Sequence, residues 1–295
     1  MGQEMLRSPG LPFQPRFIAL KALPRPGRGV EADNFMTPRF PRFYPLPVFL
    51  IVFLAFAPAV RARNVGYTVS AVLPHDPAAF TEGLLLKDGS FYESTGLNGQ
   101  SSLRKVEPGT GRILARVNLD PAYFGEGLAL WAGKLYQLTW RSRLVLVYDA
   151  RTLAPLTTLP LETEGWGAAS TPHGLVTSDG SDMLTWRDPE TFRPTRAVQV
   201  TDAGRPVRLL NELEWVEGFV LANVWHEDRI AIISPGTGRV VAWLDCSRLR
   251  KGLGALPGES DLNGIAWDPT GKKLYVTGKL WPNIFELTLE GLPKP

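Results

Sequence analysis

From Thr81 onward the chain is built of short apolar runs separated by turn residues, with no stretch of 3.6-residue periodicity long enough for a core helix. Each run is headed by an acid or amide, most often beside a glycine: Thr81-Glu82-Gly83-Leu84, Gly125-Glu126-Gly127-Leu128, Glu164-Gly165-Trp166-Gly167, Asn211-Glu212-Leu213-Glu214 and Leu262-Asn263-Gly264-Ile265. Set in register on Glu82, Glu126, Glu164, Glu212 and Asn263, the repeats are spaced by 44, 38, 48 and 51 residues. That is the length of a four-stranded propeller blade. A second β-rich run follows every motif, such as Lys134-Leu135-Tyr136-Gln137-Leu138 or Lys273-Leu274-Tyr275-Val276-Thr277. Further strands and turns follow, such as Ser234-Pro235-Gly236-Thr237-Gly238. The pattern predicts an all-β, five-bladed β-propeller over residues 63–295, and Val65 to Leu73 is placed to complete its last blade.

Ahead of this array the pattern changes. Arg39 and Arg42 precede an apolar stretch from Leu46 to Phe56, followed by Ala57-Pro58-Ala59 and Val60-Arg61-Ala62. Charged, apolar and small-residue regions come in the order of an export signal. The apolar stretch is shorter than the ~20 residues that span a bilayer. Residues 36–62 are therefore expected to be a signal peptide or, if uncleaved, an anchor, and Met36 is its natural start. Residues 1–35, rich in Pro and Arg, are then an upstream extension, and the mature protein is secreted or periplasmic, with no other membrane contact.

Composition removes several classes of function. The formal charge of +3 owes much to Arg16, Lys21, Arg25, Arg28, Arg39 and Arg42, outside the repeats, and no basic run that would track phosphates lies within them. No nucleic-acid partner is expected. The lone Cys246 allows neither an internal disulfide nor a thiolate metal cluster, and His75, His173 and His226 have no zinc-ligand spacing.

In a propeller the motif positions of all blades converge on the central channel. There Glu82, Glu126, Asn211 and Asn263 form a polar floor, with Phe80, Trp166, Trp225 and Trp281 as apolar walls. Trp215, Trp243 and Trp267 read instead as packing between blades. Two chemistries fit such a floor. Carboxylates and amides together resemble the oxygen set with which propeller lactonases hold a catalytic calcium ion. A carboxylate among aromatic side chains, with a second acid nearby, is raised by desolvation and like charge, which suits acid–base work. A third possibility is a propeller that only binds a partner.

The motifs also carry a family resemblance. Phe80-Thr81-Glu82-Gly83-Leu84, Tyr92-Glu93-Ser94-Thr95-Gly96, Phe124-Gly125-Glu126-Gly127, Ala222-Asn223-Val224-Trp225 and Val276-Thr277-Gly278-Lys279-Leu280-Trp281-Pro282 resemble the plant and bacterial type glutaminyl cyclases, also called glutaminyl-peptide cyclotransferases. The likeness runs from about Val69 to Leu287, in order and in every repeat. It implies conversion of N-terminal glutamine of peptides or proteins to pyroglutamate with release of ammonia, with no metal or other cofactor; the protein is expected to be a monomer. It further implies Glu126 as general acid/base, Lys279 or the Asn211 amide as donor to the oxyanion, and Phe80, Trp166 and Trp225 as the pocket walls. Glu82 stands where the family carries glutamine or glutamate, and is implied to bind substrate or to share a proton with Glu126.

Overall fold

The computed structural model describes residues 62–294; the export segment expected over 36–62, apart from Ala62, and the extension before it lie outside the described residues. After β1 (Arg63–Pro74) come three four-stranded antiparallel sheets, each hydrogen-bonded in chain order. The first holds β2 (Thr81–Lys87), β3 (Ser90–Thr95), β4 (Ser102–Val106) and β5 (Ile113–Asn118). The second holds β6 (Gly125–Trp131), β7 (Lys134–Thr139), β8 (Leu144–Asp149) and β9 (Pro155–Pro160). In the third are β10 (Ala168–Thr171), β11 (Gly174–Thr177), β12 (Met183–Arg187) and β13 (Pro194–Gln199). A hairpin of β14 (Thr201–Asp202) and β15 (Arg205–Pro206) leads to β16 (Leu210–Val216), β17 (Phe219–Val224), β18 (Arg229–Ile233) and β19 (Val240–Asp245). A single turn-and-a-half helix, α1 (Ser247–Gly252), precedes β20 (Leu262–Asp268), β21 (Lys273–Gly278) and β22 (Asn283–Glu290).

The last two runs do not form separate sheets. β1 pairs antiparallel with β22 from Gly66 to Pro74, as its place in the sequence suggests, and its first three residues, Arg63 to Val65, also pair in parallel with β19. One eight-stranded sheet results, where five separate sheets were expected. The physical reason is local: a strand that reaches past the end of β22 meets the open edge of β19, and unpaired edge groups take up the partner within reach.

In the first three runs burial is greatest in the inner strands and least in the last, whereas β19 of the fourth run stays largely buried. β3 and β17 are wholly buried, whereas β9 and β13 are almost entirely exposed. The first strands touch one another in a closed cycle, β2 with β6, β6 with β10, β10 with β16, β16 with β20, and β20 with β2. Between each pair of neighbouring runs lies one apolar cluster, for instance Leu85, Tyr92 and Leu103 against Leu128, Leu135 and Tyr148, and Leu84, Phe91 and Val106 against Ala266 and Ile284. The remaining three clusters fill the other interfaces, with Trp243 inside one and Trp215 and Trp267 against two of them, as expected. Cys246 is buried in this packing, and burial pushes its thiol up, away from nucleophilic use.

The repeated glycine has a steric origin. A Cβ on Gly83 would lie 2.6 Å from Leu128 N, and one on Gly127 would lie 2.5 Å from Ala168 N. Adjacent inner strands thus meet backbone to backbone at the axis, where no side chain fits.

Candidate active site

Four of the inner strands are irregular at the same place. Pairing skips between Thr81 and Gly83, Gly125 and Leu128, Leu210 and Leu213, and Leu262 and Ile265. A bulge inserts a residue and re-aims the side chain. The bulged positions that correspond are Glu82, Glu126, Asn211 and Asn263, with Trp166 taking the place in β10's approach, since Gly167 abuts Asn211 O as Gly127 abuts Gly167. This corrects the register read from sequence at two repeats. Glu164 lies two residues early and Glu212 one residue late.

Glu212 occupies the glycine's position, and its carboxyl group enters the axis. There it accepts hydrogen bonds from Leu84 N at 3.1 Å and Ile265 N at 2.9 Å, tying three inner strands together. Glu164 works from the rim, accepting from Trp140 Nε1 at 2.8 Å and Trp166 Nε1 at 3.3 Å. Neither is a floor residue.

Two cavities lie on the ring of inner strands. One, about 460 Å³, is lined by the later residues of those strands, with Glu214, Trp215 and Trp267. The other, about 200 Å³, gathers Phe80, Glu82, Glu126, Trp166, Asn211, Trp225 and Lys279 of the site residues expected from the sequence, but neither Asn263 nor Trp281 lines it. Only the smaller brings acid, cation and amide together, so the chemistry belongs there.

Its walls are aromatic. Phe80 and Phe124 meet edge to face at 6.2 Å, Phe124 and Trp140 at 5.6 Å, and Trp166 and Trp225 at 5.5 Å. Trp225 Nε1 donates to Asp261 Oδ2 at 3.0 Å, which fixes the ring. Trp281, expected among the walls, is absent from them. It is fully buried, donates from Nε1 to Ser260 O at 2.9 Å and packs into the cluster between the last two runs. The turn that displays Lys279 necessarily turns Trp281 inward.

Phe124, Trp140, Leu97 and Glu259 line the cavity without having been singled out from sequence. A signal for two of them exists. Phe124 precedes Glu126 as Phe80 precedes Glu82, and Trp140 follows Glu126 by the 14 residues that separate Trp225 from Asn211. Gly96 makes room for Phe124, whose ring would lie 2.4 Å from a Cβ there.

The polar floor is asymmetric. Lys279 Nζ donates to Glu82 Oε1 at 2.7 Å and lies 4.6 Å from the Phe80 ring centroid. Asn263 Nδ2 donates to Glu82 Oε2 at 3.0 Å and to Thr81 O at 2.9 Å, so Asn263 supports the floor from behind. Both Glu82 oxygens are thus occupied. Glu126, in contrast, is buried and accepts no hydrogen bond among the described residues, and Asn211 Oδ1 is buried without a partner.

Burial drives the electrostatics. It raises Glu126 well above the usual carboxylate range, reinforced by the Glu82 charge and opposed by Lys279. Burial also pushes Glu82 up to about 7 against the pull of Lys279. For Lys279, burial acts downward but Glu82 and Glu126 outweigh it, and its ammonium is held above its ordinary range. The two partners therefore point to different charge states of the pair. Donors on both Glu82 oxygens favour its carboxylate, which leaves Glu126, raised by burial and by the Glu82 charge, as the acid of the three that holds its proton most readily.

Comparison with known proteins places the chain in a family. A family profile described as Glutamine cyclotransferase matches residues 48–289. The glutaminyl-peptide cyclotransferase of Arabidopsis thaliana is 43% identical over 226 residues, covering 75% of this chain and 71% of that one. The crystal structure of Myxococcus xanthus glutaminyl cyclase superposes with a TM-score of 0.74 at 36% identity, covering 79% of this chain and 100% of the other. With its repeated motifs gathered into one aromatic-walled pocket, the chain belongs to the glutamine cyclotransferase family.

Proposed function

We propose that the protein cyclises the N-terminal glutamine of peptides and proteins to pyroglutamate, releasing ammonia, without a metal or other cofactor. The observation that carries the mechanism is the Glu126 carboxyl, buried with no hydrogen-bond partner among the described residues, in an aromatic-walled pocket beside a fixed ammonium. In the reaction the neutral α-amine attacks the side-chain amide carbon. A C–N bond forms, the amine gives up one proton, and the amide nitrogen must gain one before its bond to carbon breaks. Glu126 takes the first proton as a carboxylate and returns it to the departing nitrogen as an acid. A carboxyl group whose range is raised by burial suits both halves of that exchange.

Lys279 stabilises the oxyanion of the tetrahedral intermediate. Asn211, with its unpartnered amide oxygen, accepts an N–H of the substrate. Phe80, Trp166 and Trp225 hold the glutamine side chain folded toward its own amine, a proximity effect. Glu82, with both oxygens occupied, sets the position and charge of Lys279. A calcium-dependent lactonase is a poorer reading, because the Lys279 ammonium already stands where a cation would meet Glu82, and Asn263 offers Glu82 a donor.

The same reading takes residues 63–295 as a five-bladed propeller with β1 as the outer strand of the last blade. Support comes from the closed cycle of inner strands and the apolar cluster at each interface. Residues 36–62 are taken as the export signal or anchor, the site of action as the periplasm or exterior, and the protein as a monomer. The test is incubation with a glutamine-initiated dipeptide, with and without a strong chelator, following ammonia and the mass of the product. Chelator-insensitive ammonia release supports the reading. Calcium-dependent ester hydrolysis without ammonia would replace it with the lactonase, and binding of peptide with neither would leave a binding propeller.

A further inference from the structure

Behind Lys279 lies a buried charge cluster that the cyclisation chemistry does not use. His75, just after β1, is buried, and each of its ring nitrogens faces an acceptor: Nδ1 lies 2.6 Å from Trp281 O, and Nε2 lies 2.9 Å from Glu93 Oε1. Glu93, on β3, also accepts from Thr81 Oγ1 at 2.8 Å and from Arg104 Nη2, on β4, at 2.6 Å. Arg104 Nη1 in turn donates to Asp76 Oδ2 at 2.8 Å. Although burial acts upward on Glu93, His75 and Arg104 hold it down at about 2, so it is a carboxylate that can only accept. A neutral imidazole has one N–H and would leave one of the two oxygens against a bare lone pair. The other group near the ring, the Thr277 hydroxyl of β21 at 3.4 Å from Nδ1, already donates to Asn283 O at 2.8 Å. The charged groups facing the ring are Glu93 and Arg104, and with Asp76 the four charges balance.

The cluster holds both halves of the Lys279–Glu82 pair. Trp281 O, the acceptor of His75, closes the turn from Gly278 that displays Lys279, in which Trp281 N donates to Gly278 O at 3.1 Å and Leu280 N to Ala79 O at 2.7 Å. Leu280 sits at φ 60°, a left-handed conformation unfavourable for a leucine, so this turn needs outside fixing. On the other side Glu93 holds Thr81, the residue before Glu82.

We propose that His75 is a buried imidazolium whose two N–H bonds pin the Lys279 turn to Glu93, making it a positioning residue for the Lys279–Glu82 pair. Burial alone would lower the His75 range, but the Glu93 charge and hydrogen bond and the Trp281 carbonyl outweigh it and raise it. The kinetic consequence rests on the cyclase reading, whereas the protonation state stands by itself.

Two measurements test it. In protein carrying ¹⁵N-histidine and the substitutions His173→Gln and His226→Gln at two exposed sites, His75 is the one remaining histidine. Both of its ring nitrogens are expected to resonate as protonated from about pH 5 to about pH 8. A spectrum of neutral imidazole at pH 7 would overturn the proposal. In the wild-type background, His75→Gln keeps at most one of the two donated bonds. A displaced ammonium is expected to lower kcat about 10- to 100-fold, with KM within about threefold because the pocket walls are untouched. Folded His75→Gln with wild-type kcat would overturn the positioning role. If that variant does not fold, Thr81→Val cuts the link between Glu93 and the residue before Glu82, and a folded Thr81→Val with unchanged kcat and pH profile has the same force. A wild-type protein that releases no ammonia would sink the cyclase reading and leave the histidine claim to the spectrum, which decides it alone.

Discussion

Replacing Lys279 with methionine removes the one cation that, among the described residues, neutralises Glu82 at close range, a contact of 2.7 Å between side chains buried to within a few per cent. Breaking a buried ion pair from one side costs about 3–5 kcal/mol, most of it the price of the charge left behind. For a domain of this size each kcal/mol moves Tm by about 2–4 °C, so the expected loss is about 6–20 °C. The sign with pH follows from Glu82, whose range in the folded protein is already raised from 4.5 to about 7. A group raised on folding supports the fold below its unfolded value and loses that support as pH rises through its folded value. Without Lys279 the folded value rises further. The melting difference between Lys279→Met and wild type should therefore be large at about pH 8 and should shrink toward pH 4.5, as Glu82 becomes neutral. Adding Glu82→Gln should restore most of the loss at about pH 8 while leaving ammonia release low. Scanning calorimetry of the three proteins, wild type, Lys279→Met and the double variant, at both pH values decides it. Equal losses at both values, or a double variant no more stable than Lys279→Met, would refute the charge argument.

Other outcomes follow from the same geometry. Lys279→Met should move the acidic limb of the kcat/KM profile to higher pH, because Lys279 is the group that holds Glu126 down. Gly127→Ala should destabilise the ring by about 1–3 kcal/mol or prevent folding, since the added Cβ meets the Ala168 backbone at 2.5 Å and neither strand can yield; denaturant melts measure it. Trp140→Ala should raise KM more than it lowers kcat, as it opens the wall beside Phe124 without touching Glu126 or Lys279. Removing the chain through Leu73 should lower Tm and promote association, because β22 loses its antiparallel partner and becomes an open edge.

Which parts of this site could be read from the sequence depended on whether the chemistry repeats. Glu82, Glu126, Asn211 and Asn263 stand at the head of their strands in every form of the repeat, and the glycine after three of them marks the axis. The register slipped at Glu212 because a bulge sets which of two adjacent polar residues faces the cavity, and a bulge leaves no mark in a dipeptide; at Glu164 it slipped because the third repeat carries an aromatic residue, Trp166, where the others carry an acid or amide. Trp281 was misplaced for a related reason: in Gly278-Lys279-Leu280-Trp281 only the handedness at Leu280 tells which of two large side chains points inward. Glu259 enters from the long connection between α1 and β20, which has no repeat to be aligned with. The joining of the last two runs hangs on the parallel pairing of Arg63 to Val65, three residues whose partner lies far away in the chain.

The central claim is that Glu126 moves the proton, and Glu126→Gln tests it most directly. The substitution keeps shape and volume, and it removes a carboxyl group that burial makes costly to ionise. The account predicts a fall in kcat for ammonia release of about 10²- to 10⁴-fold, equivalent to about 3–5 kcal/mol of transition-state stabilisation. It predicts at the same time a Tm at neutral pH equal to or above that of wild type, since a carboxyl raised on folding weakens the fold as it ionises. A folded Glu126→Gln protein that releases ammonia within tenfold of the wild-type rate would contradict the account.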